Sequence, residues 1–225
     1  MINKSIFIAC DVSSQKEIID LLELIHEDIS GIKIGLQYIT QRSPEEIREL
    51  AKFKKPIFYD GKFFDIKNTL VESIKSLRNL NINYATVHLL NGLDALKAAN
   101  KVAQEININL LGVSVLTSFS DKDLENLGFG NNVENQVKRL TKIAMNANLY
   151  GVICSPLEIK MIKEIAPNLK CFTPGIRIGD DKDDQKRTMS ANEAFKEGSD
   201  CLIIGRPITK GDPKKNIKYI LSSIE

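Results

Sequence analysis

The chain has 225 residues, of which 43% are hydrophobic and 27% are charged, and these proportions are ordinary for a globular protein. Its formal net charge of +2 comes from 31 lysine and arginine residues set against 29 aspartate and glutamate residues. This balance argues against a basic nucleic-acid-binding surface, because such surfaces concentrate positive charge.

The four cysteines occur singly, each in or beside an apolar, strand-like run, and they share no metal-ligand spacing such as C-x-x-C. We therefore expect buried free thiols, which are typical of a reducing compartment. The amino terminus, MINKSIFIACD, becomes charged too early for a signal peptide, and no apolar run reaches transmembrane length. The sequence predicts a cytosolic protein that binds neither nucleic acid nor membrane.

Strand-like and helix-like segments alternate along the chain. The predicted strands are 5–11, 32–36, 56–59, 84–89, 110–116, 149–154, 170–173 and 201–205. The predicted helices are 15–26, one opened by Ser43 and Pro44, 68–79, one ending at 104, one ending near 146, 156–165, a short one after 190, and 213–223. Serines at 13, 14 and 120 offer further helix caps.

Eight strand-like segments alternating with eight helix-like segments favour a closed (β/α)8 barrel, the TIM-barrel member of the α/β class. A doubly wound open sheet is the alternative, but no G-x-G-x-x-G motif follows the first strand. No low-complexity linker or domain boundary interrupts the pattern. We expect residues 1–225 to form one barrel domain.

The stretch 56–69 places three charged residues directly after an aromatic and β-branched run. Asp60, Lys62 and Asp65 follow the predicted strand within six residues. Because side chains alternate along a strand, we expect Asp60 and Lys62 on one side and Gly61 on the other. Charges at the mouth of an apolar strand are costly unless they pair or take part in chemistry. On these residues alone, a structural ion pair is the alternative to a catalytic group.

Polar residues also follow most of the other predicted strands. In a parallel barrel, the carboxyl ends of the strands meet at one face, where the chemistry of this fold lies. Each residue alone has an ordinary explanation, such as a helix cap or a turn, but together they predict a cavity for a charged, polar ligand. These residues are Asp11, Lys33, Asp60, Lys62, His88, Thr117, Ser118, Arg177, Gly205 and Arg206.

The end of the eighth predicted strand, I-I-G-R-P-I-T, has the features of a phosphate site. Glycine lets the backbone approach an anion, the following helix start offers amides, and Arg206 offers a two-pronged guanidinium. Phosphate sites of such barrels commonly lie after the seventh and eighth strands. The long polar loop 174–190, with Arg177, Gly179 and Gln185, fits a lid that closes over an anion.

Taken in order, these motifs resemble the orotidine 5′-phosphate decarboxylase family, and its bacterial branch in particular. The run D-x-K-x-x-D-I-x-N-T at 60–69 is similar to that family's signature. L-T-S at 116–118, T-P-G-I-R at 173–177, D-Q-K-R at 184–187 and I-G-R-P-I at 204–208 follow in family order, so the resemblance covers nearly the whole chain. The departures are Phe63 and Phe64 before Asp65, Lys67 where Pro is usual, and Leu-Leu-Asn-Gly at 89–92.

The resemblance implies a homodimeric barrel enzyme that works without a cofactor or a metal and converts orotidine 5′-phosphate to UMP in pyrimidine biosynthesis. It implies a catalytic array of Lys33, Asp60, Lys62 and Asp65, in which Lys62 donates the proton and Asp60 lies near the substrate carboxylate. Asp65 and Thr69 would reach into the partner's site. The other implied roles are ribose binding by Asp11 and Lys33, pyrimidine binding by Thr117, and phosphate binding by Arg177, Gln185, Gly205 and Arg206.

Two other interpretations stay open. A sibling of the same superfamily, a sugar-phosphate decarboxylase, aldolase or synthase with D-x-K-x-x-D, would depend on magnesium. Lys33 and the L-T-S and D-Q-K-R elements favour the first interpretation over this one. A silent nucleotide-binding homologue is the other alternative, although a protein without activity gains nothing from keeping costly charges together.

Overall fold

The computed structural model describes residues 4–12, 14–130, 132–177 and 187–224. Its eight strands are all parallel and close into a barrel in sequence order, with the first strand hydrogen-bonded to the eighth. The strands are β1 (Ser5–Cys10), β2 (Gly31–Gly35), β3 (Ile57–Phe63), β4 (Tyr84–His88), β5 (Asn109–Val113), β6 (Gly151–Ile153), β7 (Lys170–Thr173) and β8 (Cys201–Ile204). The predicted (β/α)8 barrel is confirmed.

Helices connect the strands around the outside of the barrel. Within the described ranges the α-helices are α1 (Gln15–Ile25), α2 (Leu36–Ile39), α3 (Pro44–Glu49), α4 (Lys67–Ser76), α5 (Leu93–Glu105), α6 (Asp121–Asn126), α7 (Val133–Asn146), α8 (Ile159–Ile165), α9 (Ala191–Lys196), α10 (Arg206–Thr209) and α11 (Pro213–Ser223). The hydroxyls of Ser14, Ser43 and Ser120 accept backbone N–H groups and start α1, α3 and α6, as predicted. None of these helices is long and apolar enough to cross a bilayer.

Two apolar layers hold the barrel together. The larger one lies between the strands and the helices, and the smaller one fills the barrel interior. Inside, the ring of Phe7 packs edge-on against those of Tyr84 and Phe172, with centroids 5.6 and 6.0 Å apart. All four cysteines are buried and free, as predicted. These three rings face a second cavity, of about 440 Å³, at the amino-terminal end of the barrel, and the cavity that the strand ends line lies on the opposite, carboxyl side.

Strand β3 departs from regular pairing near its carboxyl end. Tyr59 pairs with Ala85 of β4, and the next pair joins Phe63 to Val87, so that β3 advances further than β4 across this interval. Lys62 lies within the interval and has φ +47°, a left-handed conformation that L-residues rarely adopt. The regular alternation that the sequence predicts here is therefore wrong, because a bulge takes its place.

Candidate active site

A cavity of about 500 Å³ opens at the carboxyl ends of the strands. The sequence-predicted residues that line it are Asp11, Lys33, Asp60, Lys62, Thr117, Arg177, Gly205 and Arg206. The bulge in β3 presents Asp60 and Lys62 to the same space, so they share a side as predicted, although for a different reason. Apolar side chains of β5, β6 and β8 form part of the wall, and Gln37 and Thr209 add polar groups that the sequence analysis did not select.

Lys33 and Asp60 form the centre of a charged network in the cavity wall. The Nζ atom of Lys33 donates to Asp11 Oδ1 at 2.7 Å and lies 3.8 Å from Asp60 Oδ2. The Nζ atom of Lys62 donates to the same Asp60 oxygen at 2.8 Å. The side chains of Lys33 and Asp60 are only 8% and 14% exposed, so water screens their attraction weakly. One carboxylate oxygen thus fixes two ammonium groups, and Lys62, the more exposed of them, faces the cavity.

Gly35 at the end of β2 makes room for this network. It pairs with Asp60 across β2 and β3. A Cβ atom at Gly35 would lie 2.7 Å from Asp11 Oδ1, closer than real Cβ contacts, and 3.0 Å from Lys33 Nζ, so the ends of these two side chains would have to shift. Gly35 is not among the residues that the sequence motifs predict, although a glycine that ends a strand beside predicted charges is a signal for such a position.

The second oxygen of Asp60 is bound by Thr86 of β4. Thr86 Oγ1 donates to Asp60 Oδ1 at 3.0 Å, and it accepts the backbone N–H of Lys62 at 2.8 Å. Thr86 is fully buried. Thr86 is likewise absent from the residues that the motifs predict, and the signal for it in the sequence is its place two residues before His88, on the same face of the strand.

The structure does not bring Asp65 and Thr69 to this cavity. Both side chains are exposed, and neither lines the cavity wall. The turn that carries Asp65 is held by Asn91, whose Oδ1 accepts the Asp65 N–H at 3.1 Å. The Nδ2 group of Asn91 donates to the carbonyls of Phe63 and His88, at 2.9 and 2.7 Å. Within one chain, the predicted array is therefore divided between the cavity and an exposed turn.

His88 ends β4 but does not line the cavity. Its Nδ1 atom accepts the Leu90 N–H at 3.3 Å, and its ring lies 5.5 Å from the ring of Phe64. Burial, followed by the positive charge of Lys62, lowers the pKa of the His88 imidazole below its ordinary value. The ring is therefore neutral at neutral pH and caps the turn after β4.

The residues predicted to bind phosphate lie where β7 and β8 end. Arg177 follows β7, Arg206 opens α10, and both line the cavity together with Gly205. Since β7 and β8 are neighbours, the two guanidinium groups belong to the same side of the rim. Gln185 and Gly179, which the sequence analysis assigned to this region, lie outside the described residues.

Arg187 fastens the far end of the long loop to the barrel. Its guanidinium pairs with the buried carboxylate of Glu158 and donates to the carbonyl of Leu116 at 3.0 Å. Burial raises the pKa of Glu158, although the charge of Arg187 acts in the opposite direction. Because Leu116 precedes Thr117, this pair links the loop that follows β7 to the cavity wall that follows β5.

Residues 4–220 match the family model described as the orotidine 5′-phosphate decarboxylase / HUMPS family. The orotidine 5′-phosphate decarboxylase of Wolbachia sp. subsp. Brugia malayi is 37% identical over 221 residues, which cover 97% of this chain and 98% of the relative. That of Prochlorococcus marinus strain MIT 9312 is 39% identical over 208 residues, covering 88% and 86%. The crystal structure of orotidine 5′-phosphate decarboxylase from Lactobacillus acidophilus has a TM-score of 0.86 at 30% identity, covering 99% and 100%. The resemblance is confirmed, and the chain belongs to the orotidine 5′-phosphate decarboxylase / HUMPS family.

Proposed function

We propose that this chain decarboxylates orotidine 5′-phosphate to UMP in pyrimidine biosynthesis, with Lys62 as the proton donor. Family membership supports the reaction. The observation that carries the proposal is the shared oxygen of Asp60, which fixes the ammonium groups of Lys33 and Lys62 at the cavity wall. A cavity of about 500 Å³ with two arginines at its rim suits a nucleotide that carries a phosphate.

The chemistry requires a fixed positive charge beside the reacting carbon. When the bond from the pyrimidine ring to the carboxylate breaks, CO2 leaves and the electron pair stays on the ring carbon, where no adjacent carbonyl absorbs it. The ammonium of Lys62 stabilises that charge as it develops, and it then transfers one proton to the carbon. Asp60 holds this ammonium in place before the reaction begins, so little reorganisation is needed at the transition state.

The remaining lining residues act on parts of the substrate that do not react. Asp11 and Lys33 suit the ribose hydroxyls, Thr117 suits the pyrimidine, and Arg177 and Arg206 suit the phosphate. Gln185 is assigned to the phosphate by family resemblance alone. Binding energy from the phosphate, far from the reacting carbon, can position the ring and close the loop, so that losing it lowers turnover as well as affinity.

The test follows the absorbance of orotidine 5′-phosphate with purified protein in the presence of EDTA. We expect conversion to UMP, and we expect Lys62→Ala to lose at least about 100-fold in kcat because the general acid is gone. Lys52→Ala is the matched control, since Lys52 is exposed and pairs with Glu49 on the outer surface. Near-normal turnover by Lys62→Ala would contradict the assigned role. Activity that requires magnesium and a sugar phosphate would favour the sibling enzymes, and UMP binding without turnover would favour a silent homologue.

We further propose that the chain forms a homodimer in which Asp65 and Thr69 complete the partner's site. Asp65 lies between Phe64 and Ile66, whose side chains are 62% and 75% exposed at the rim of the barrel. Large apolar side chains exposed side by side are typical of an interface with another chain. If Phe64 and Ile66 contact a partner chain, the exposed carboxylate of Asp65 between them would face that chain. A monomer in analytical ultracentrifugation at assay concentration would contradict this proposal.

A further inference from the structure

Thr86 is a fully buried residue of β4 that does not line the cavity. Its hydroxyl nevertheless contacts both functional residues of the bulge in β3. It lies 3.0 Å from Asp60 Oδ1 and 2.8 Å from the backbone nitrogen of Lys62. Through one oxygen atom, Thr86 therefore joins the carboxylate that fixes Lys62 to the backbone that carries Lys62.

The direction of both hydrogen bonds is determined by the chemistry of the partners. The backbone N–H of Lys62 can only donate, and an ionised carboxylate can only accept. The single proton of the Thr86 hydroxyl must therefore point to Asp60, while a lone pair receives the Lys62 N–H. This leaves Asp60 Oδ2 for the two lysines and gives each carboxylate oxygen its own partners.

The bulge explains why a side chain is needed at this place. Between the pairs Tyr59–Ala85 and Phe63–Val87 the ladder of β3 and β4 is interrupted. Lys62 lies in that gap with φ +47°, and its N–H bonds to the Thr86 hydroxyl. The hydroxyl takes the place of the strand carbonyl that a regular ladder would offer.

We propose that Thr86 is a positioning residue for decarboxylation, which holds the Asp60 carboxylate and the left-handed Lys62 backbone so that the Lys62 ammonium faces the reacting carbon. This inference rests on the proposed function. Without the hydroxyl, a buried N–H loses its acceptor and Asp60 Oδ1 loses its donor, so the carboxylate turns and the ammonium follows it. Because Thr86 is not part of the cavity lining, substrate affinity is expected to change little.

The test compares Thr86→Val, which removes the hydroxyl and keeps the shape, with Thr86→Ser, which keeps the hydroxyl. For Thr86→Val we expect kcat to fall by about 10- to 100-fold with KM within about twofold, since small displacements of a catalytic group are costly. Thr86→Ser should keep kcat within about threefold of the wild type. Thr141→Val is the matched control, because Thr141 is equally buried on α7 and its hydroxyl has no partner among the described residues.

Several results would overturn the inference. These are unchanged kcat in Thr86→Val, a loss of similar size in Thr86→Ser, and a rise in KM that accounts for the whole effect. If Thr86→Val does not fold, Thr86→Ala removes the same hydroxyl without a branched replacement. A crystal structure of the variant decides the matter apart from activity, since the contact between Lys62 Nζ and Asp60 at 2.8 Å should be lost. An inactive wild type would refute the proposed function, and an unchanged contact would refute the positioning role.

Discussion

At Gly35, the absence of a side chain lets Asp11 and Lys33 approach each other at 2.7 Å. We expect Gly35→Ala to displace that pair, because the new Cβ would lie 2.7 Å from Asp11 Oδ1. Steady-state kinetics should show a KM for orotidine 5′-phosphate raised by about tenfold, because the displaced pair would lose about one charge-assisted hydrogen bond to the substrate. Gly130→Ala is the control, since a Cβ there meets nothing within 4 Å. Equal kinetics for the two variants would contradict the steric role of Gly35.

Motifs identify the charged residues of the site, but they do not identify the residues that hold those charges in place. Asp60 and Lys62 stand out in the sequence because charge follows an apolar strand. Thr86 and Gly35 do not stand out, since their importance depends on which atoms the neighbouring strands place opposite them. The bulge is hidden for a related reason: Gly61 is the residue suited to a left-handed conformation, yet Lys62 adopts it.

At the scale of elements, Asp200 joins α8, β7 and the start of β8 at the amino-terminal end of the barrel. Its Oδ2 atom accepts from Lys163 Nζ at 2.6 Å and from the Cys171 N–H at 2.9 Å, and its Oδ1 atom accepts from Lys170 Nζ at 2.9 Å. Burial acts to raise the pKa of Asp200, but these hydrogen bonds outweigh it and lower the pKa below the ordinary value of 3.8. The charged carboxylate therefore stabilises the folded state.

We expect Asp200→Asn to lower the free energy of unfolding by about 1–3 kcal/mol at neutral pH, the usual size for hydrogen bonds to a charged group. Because the pKa is lower in the folded state, this stabilisation is complete above 3.8 and is lost as the pH falls through the folded-state pKa. Urea denaturation at neutral pH and in acid measures the difference in the free energy of unfolding between the wild type and Asp200→Asn, and this difference should become smaller in acid. Asp20→Asn, which removes an exposed pair with Lys16, should change stability little at either pH. A difference for Asp200→Asn that does not depend on pH would contradict this account.

Element boundaries are predicted well where a local chemical signal marks them. Serine caps mark the starts of α1, α3 and α6, and the Pro213–Ser223 helix matches the predicted range. The predicted fifth strand, 110–116, extends beyond β5 because its last residues are apolar for another reason: Val115 and Leu116 line the cavity. Helices α2 and α10 have four residues each, too few to show a helical period.

At the scale of the molecule, the alternation of segments was enough to predict the barrel, since a closed parallel sheet needs little more than eight strand–helix repeats. The proposed dimer cannot be predicted from the alternation of strands and helices. A single chain leaves Asp65 exposed and away from the cavity that Lys62 lines, and in the proposed dimer the surface that receives Asp65 would belong to the partner chain. The site of one chain therefore lacks a group that the motif predicts.

Mixing two inactive variants tests whether Asp65 acts across the interface. In a mixed dimer of Lys62→Ala and Asp65→Asn chains, one site would carry both defects and the other would carry neither. After subunit exchange we expect about a quarter of the wild-type activity, because half of the dimers are mixed and each has one intact site. Lys62→Ala mixed with Lys62→Ala,Asp65→Asn is the control that restores nothing. No recovery after verified exchange would mean that Asp65 serves its own chain.

At position 62, the proposed catalysis requires a lysine side chain, whereas the left-handed backbone conformation would be more stable with glycine. An L-residue with φ +47° is strained by roughly 1–2 kcal/mol, and glycine is not. Lys62→Gly should therefore unfold at a higher urea concentration than Lys62→Ala, the reverse of the usual order within strands. Selection for stability alone would therefore favour glycine at position 62, so that the lysine of the proposed proton donor is kept at a cost in folding free energy.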